Sequence, residues 1–251
     1  MKKFIIPIFF LLLLSAGCSK DGHQKKVTPR TFKNMVLQAV SGDKTANEAL
    51  QGLIDLEDFP VNKGFNSLVA DSFKTNGKRY YYVKLEYPNP VYNRYAVYNE
   101  KFNLLLLDKS LNGDMAIDFF VKDNMTFIKL AESFISKGAL SLKRLSLYKV
   151  GSDNIKLVFR SYYSLNKPDA FFSQELGSIT KDSITTEINV PEEVSSVKKD
   201  KFVYSAKDER YVSSKNYFDR IIKQQVNSFD FPAELPEVKD EKSAKEISQS
   251  K

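Results

Sequence analysis

The chain has no tryptophan, one histidine and one cysteine among its 251 residues. One cysteine excludes a disulfide within the chain, so stability must come from packing and hydrogen bonding. The lone histidine, His23, lies close to the N-terminus. No Ser-His-Asp or Cys-His nucleophile system can be assembled from such an inventory, and no zinc site built from histidine and cysteine. Carboxylate chemistry, oxygen-ligand metals, a Ser-Lys pair or no chemistry at all are the options left.

What is present is a large apolar and aromatic content, 42% and 13%. That is enough to bury one sizeable core. Lysines and arginines number 38 against 31 aspartates and glutamates. The charge is spread along the chain without a strong block except Lys198–Lys199 and Lys201. Nucleic-acid binding needs clustered charge, so no nucleic-acid partner is expected.

The first eighteen residues, MKKFIIPIFFLLLLSAGC, organise the rest. Lys2 and Lys3 precede an apolar run, Phe4–Leu14, of eleven residues. That run is too short to cross a hydrocarbon core of about 30 Å. Ser15, Ala16 and Gly17 lead to Cys18. A charged start, a short apolar middle and small residues at the end mark an exported segment that is removed. The stretch resembles the signal peptide and lipobox of a bacterial lipoprotein precursor, with Leu14 one place earlier than the usual leucine. The resemblance implies cleavage before Cys18, a thioether-linked diacylglycerol on its sulfur and an acyl chain such as palmitate on its new amino group. No other cofactor is implied. Two or more chains hold stably because each buried methylene contributes about 0.8 kcal/mol. Ser19 in place of aspartate implies delivery to the outer membrane of the cell envelope, on its periplasmic or surface face. An ordinary secretory signal with an incidental cysteine is the plainer alternative. Without residues 1–17 the chain carries 36 basic and 31 acidic groups.

Residues 18–28 read as a flexible tether. Thr28-Pro29 suits a helix N-cap followed by proline at the first helical position. Phe32, Met35, Val36, Ala39 and Val40 follow at helical spacing, and Gly42 is a natural stop. Thr45 to Glu48 is a capping-box pattern ahead of Ala49, Leu50, Leu53 and Ile54. Two short helices are therefore expected within 29–56. From 64 to 205 the pattern is of β-branched and aromatic runs separated by turns, which argues for an antiparallel meander. Asn76-Gly77 and Asn112-Gly113 both read as hairpin turns. The stretch 126–136 is ambiguous between helix and strand and is assigned to strand with its neighbours. Ser214 is a candidate cap for a helix over 213–229 carrying Tyr217, Phe218, Ile221, Ile222 and Gln225. Residues 232–251 are poor in apolar groups and read as disordered. The expectation is one α+β domain over 29–231: a large antiparallel β-meander sheet, strongly curved or partly closed, with an N-terminal helical hairpin and one C-terminal helix.

Three constellations invite a functional reading. Asp108, Ser110, Asn112, Gly113 and Asp114 resemble the start of an EF-hand calcium loop, but Phe119 stands where the bidentate glutamate belongs. A hairpin turn explains the same residues, so no metal is expected. Seven of the thirteen tyrosines fall within nineteen residues, 80–98. Of these Tyr80, Tyr82, Tyr87, Tyr92, Tyr95 and Tyr98 are candidates for a binding surface, because tyrosine offers a flat face with one polar handle. The alternative is that about half of them support the core. Carboxylates such as Asp114, Asp118, Glu132, Glu175 and Glu187 show no spacing that singles out an acid–base pair, and Ser136-Lys137 sits in turn-like sequence. The reading is a non-catalytic, lipid-anchored accessory or binding protein presenting a β-rich domain to an envelope protein. The alternative is a lipid or lipoprotein carrier with an apolar cavity in a curved sheet.

Overall fold

The computed structural model describes residues 27–54, 66–135 and 140–226. Helix α1 (Pro29–Val40) starts where the sequence places it. Thr28 accepts the Thr31 N–H and Thr31 takes the Thr28 N–H at 2.7 Å, a reciprocal cap. Helix α2 (Lys44–Ile54) begins earlier than expected, because the Asp43 carboxylate and not Thr45 receives the first free N–H, that of Ala46, at 3.0 Å.

Twelve antiparallel strands follow in two sheets. The first contains β1 (Ser67–Thr75), β2 (Lys78–Glu86), β3 (Arg94–Tyr98) and β4 (Leu104–Asp108), side by side in that order. The second runs from β5 (Asp114–Lys122) through β6 (Met125–Ile135), β7 (Ser141–Val150), β8 (Ile155–Asn166), β9 (Phe171–Ile179), β10 (Ser183–Asn189) and β11 (Lys199–Ser205) to β12 (Arg210–Val212). Helix α3 (Tyr217–Gln225) closes the described chain. The fold is α+β and mostly antiparallel meander, as the turn spacing indicates, but it has two sheets where one was expected, and neither is closed.

The point of difference is Asn112-Gly113. Asn76 and Gly77 adopt the positive φ of a two-residue hairpin, 51° and 74°. Gly113 does not, and β4 and β5 do not pair. Residues 109–113 cross from one sheet to the other. Glycine is needed there for space, since a Cβ on Gly113 would lie 2.7 Å from the Ser133 carbonyl oxygen.

The elements stack in layers. Phe32, Val36, Ala39, Ala46 and Leu50 of the helical pair bury against Ala70, Val83, Leu85, Ala96 and Tyr98 on one face of the four-stranded sheet. Its other face packs on β5–β8, with Tyr80, Tyr95 and Val97 against Met115, Ile128, Leu130 and Tyr148. The rings of Phe73 and Phe119 stack at 4.3 Å across that junction. Strand β9 pairs with only Ser164–Asn166 of β8 and then leaves it. The meander therefore turns back over β5–β8 and brings β12 beside β8, with no ladder between them among the described residues. Phe127, Leu147 and Phe159 meet Ile184, Phe202 and Tyr211 inside this fold. Helix α3 plugs one end with Phe218, Ile221 and Ile222. Its start is held by Asp200 of β11, whose carboxylate accepts the Tyr217 N–H at 2.9 Å, and not by the expected Ser214. The expectations for residues 1–26, the helix end at 55–56, the strand start at 64–65, the last residues of the C-terminal helix and the tail fall outside the described residues.

Candidate functional site

The six candidate tyrosines do not share an exposed face. Alternation along β2 and β3 divides them, as it must. Tyr80, Tyr82 and Tyr95 point to β5–β8, and Tyr87, Tyr92 and Tyr98 to the helical side. Tyr80, Tyr87, Tyr95 and Tyr98 are buried and Tyr82 and Tyr92 half-buried. Both faces of this sheet are covered, so tyrosines of either face find burial. Tyr98 spends its hydroxyl on the Leu53 carbonyl at the end of α2, 2.9 Å away. Burial pushes the Tyr87, Tyr95 and Tyr98 hydroxyls well up from their ordinary range. Cys18 falls outside the described residues.

The calcium-like segment is spent on an internal polar cluster. Asp108, at the end of β4, accepts from Ser110 N–H (2.7 Å), Ser110 Oγ (2.6 Å), the Tyr148 hydroxyl (2.5 Å) and Arg160 (2.6 Å). Burial alone would raise the Asp108 carboxyl, but Arg160 and these hydrogen bonds outweigh it and hold it below its usual range. Beside it, Arg144 donates to both oxygens of Glu132, at 2.8 and 3.0 Å, and to the Ser110 carbonyl at 2.9 Å. The side chains of Arg144 and Glu132 are 1% and 0% exposed. Burial pushes Glu132 up against the pull of Arg144, and Glu132 also accepts the Asn112 N–H at 2.9 Å. Two guanidinium groups thus hold the crossover 109–113 onto β7 and β8. A third contact uses Asn93, buried, which accepts the Tyr87 N–H and donates to the Gly113 carbonyl at 3.0 Å. These carboxylates are bonded to fixed donors and buried, an arrangement that holds the crossover backbone in place.

A second buried cluster lies where β9 leaves β8. The Asp219 carboxylate of α3 accepts the Tyr162 N–H at 2.9 Å and the Ser161 hydroxyl at 2.7 Å. Gln174 donates to the Tyr162 carbonyl and to Ser161 Oγ, each at 2.9 Å, and accepts from Thr186 at 2.8 Å. Side chains here replace the ladder bonds that the departing strand no longer supplies.

No known protein family, curated protein or solved structure matches this chain.

Sheet edges are the remaining places where a peptide could attach, and two of them are guarded. Asp118 on β5 accepts the N–H of the following Phe119 at 2.8 Å, and Asp71 on β1 does the same for Ser72 at 2.7 Å. On β5 the Met115 N–H is taken by Glu86, and its carbonyl accepts Lys84 Nζ at 2.8 Å. An edge whose outward groups are already bonded is a poor template for another strand. Among the other carboxylates, Glu187 faces Lys199 across β10 and β11 at 3.4 Å. Ser136-Lys137 falls outside the described residues. Arg144, Tyr148 and Arg160 escaped the sequence reading. Arg144, Ser146 and Tyr148 alternate with Lys143, Leu145 and Leu147, and that polar set on one face of a buried strand was the available signal.

Proposed function

We propose that the protein is a lipid-anchored component of the bacterial cell envelope, held in the outer membrane through acyl chains on Cys18, that presents its stacked β-domain to an envelope protein and performs no chemistry. The observation that carries this reading is the run of two lysines, eleven apolar residues and small residues that ends at Cys18, ten residues before the cap of α1. The interior supports a presenting role over that of a lipid carrier. The junction between the two sheets is occupied by Tyr80, Tyr95, Leu111, Ile128, Leu130 and Tyr148, none more than 3% exposed. The fold of the meander is likewise filled by phenylalanine and aliphatic side chains. The polar clusters support it too, because their carboxylates are bonded to arginine, serine and backbone rather than open to a substrate.

The test is the intact mass of the protein extracted from membranes with detergent. The expected product begins at Cys18 and carries the added mass of a diacylglycerol and an acyl chain, and Cys18→Ser leaves a full-length unmodified precursor. A mature chain starting elsewhere, or normal processing of that variant, would falsify the anchor. Cross-linking in intact cells then identifies what the domain meets. One dominant envelope protein is expected, and co-purifying lipid without a protein partner would favour the carrier.

A further inference from the structure

Basic residues run along the whole chain, but their excess over acidic ones does not. Residues 1–40 hold seven of the 38 basic groups and one of the 31 acidic ones, which leaves 31 against 30 for all the rest. Between Cys18 and Val40 there are five cations, Lys20, Lys25, Lys26, Arg30 and Lys33, and one anion, Asp21. The anchor-proximal tenth of the mature chain therefore carries nearly all of its net charge.

Two of these cations lie on α1, a helix with no acidic residue. Arg30 lies in its first turn and Lys33 just beyond it, at the end where cations oppose the helix dipole. Such placement does not serve the helix. Phe32, Val36 and Ala39 face the sheet, whereas Arg30, Lys33 and Leu37 are exposed. Positions 30, 33 and 37 recur at helical spacing and form one outward stripe. Leu37 is 54% exposed at its end. The stripe lies in the outermost layer of the stack, at the end of the chain that leads to Cys18. Thr28 lies ten residue steps from Cys18, so the reach from anchor to helix is at most about 35 Å.

Resting on the anchor reading above, we propose that the outward face of α1 docks on the membrane that holds Cys18, with Arg30 and Lys33 on anionic phospholipid headgroups and Leu37 against the interface. The four-stranded sheet then stands above the bilayer on its helical layer, and the outer face of β9–β12 looks away from it. Each cation at an anionic surface contributes about a five-fold change in the docked-to-undocked ratio. The contact is sensitive to salt, because exposed charges are screened within about 10 Å at moderate ionic strength.

Cys18 is the only native cysteine, and its lipidation leaves an introduced thiol as the single labelling site. The lipidated full chain carrying Leu37→Cys, or Val203→Cys on exposed β11 as control, is labelled with a fluorophore and incorporated into phosphatidylethanolamine vesicles that bear a headgroup-linked quencher, with or without phosphatidylglycerol. With phosphatidylglycerol, the label at 37 is quenched several-fold more than the label at 203. High salt removes the difference, and Arg30→Gln with Lys33→Gln lowers the docked-to-undocked ratio about twenty-five-fold. Equal quenching at the two positions in protein that floats with the vesicles overturns the docking. So does quenching at 37 that ignores salt and the double substitution. Protein that fails to float with the vesicles overturns the anchor instead, and the two failures are thereby told apart.

Discussion

The two buried polar clusters sit on the same strand, β8, and solve the same problem by different means. At the crossover, Arg160 and its neighbour Arg144 bind two carboxylates and a stretch of backbone. At the split, Asp219 and Gln174 satisfy Ser161 and Tyr162 with one charge and several neutral groups. In each case a strand has lost its regular partner and the side chains complete the hydrogen bonding. The difference is what each holds together. The crossover cluster joins two sheets through paired charges that are costly to separate. The split cluster joins a helix to a strand through bonds of ordinary strength.

The comparison breaks first at Arg144. Arg144→Met leaves Glu132 charged and buried and is expected to destabilise by about 3–5 kcal/mol in denaturant titrations. Adding Glu132→Leu should recover most of that loss, because an apolar pair of similar volume replaces a buried ion pair at little net cost. No recovery would mean that the Ser110 carbonyl, and not the ion pair, is what Arg144 serves. Asp219→Ala is the matching change at the split. It removes acceptors from Ser161 and Tyr162 and should cost about 1–3 kcal/mol. Its mark is early hydrogen exchange in α3 while the crossover keeps its protection; uniform loss of protection would show that the clusters are one cooperative unit. The smallest effect has the opposite sign. The Tyr95 hydroxyl is buried at the sheet junction with no hydrogen-bond partner among the described residues. Tyr95→Phe is expected to stabilise by about 1 kcal/mol, and a loss of stability would point to a bond that the hydroxyl makes in solution.

The strands, their antiparallel order and the helical pair were legible because period-2 alternation and turn residues are local signals. Thr28-Pro29 and Asn76-Gly77 do in the structure what their chemistry requires. The strand character of 126–135 followed from its neighbours. Local chemistry did not distinguish Asn76-Gly77 from Asn112-Gly113, since the first closes a ladder and the second leaves one. That choice depends on the Ser133 carbonyl and on Glu132 and Arg144, which are distant in sequence. The tyrosines could not be divided between core and surface for a related reason. A run of Tyr80 to Tyr98 looks like a recognition surface until the sheet is seen to be covered on both sides. Asp43 and Asp200 capped helices ahead of Thr45 and Ser214 because either kind of oxygen can serve, and only the local geometry of the chain decides between them.

Every ladder among the described residues joins strands that are neighbours in sequence. This has a kinetic consequence. Contacts of short sequence separation form quickly and carry a small loop-closure cost. The longer closures come from side chains: Arg144 reaches back 34 residues to Ser110, and Asp219 reaches back 57 to Tyr162. A chain of this topology can grow its sheets strand upon strand from the amino-terminal end. In that order the arginine lock, which needs Arg144 of β7 and Arg160 of β8, closes only once both strands are in place, and α3 would be fitted last.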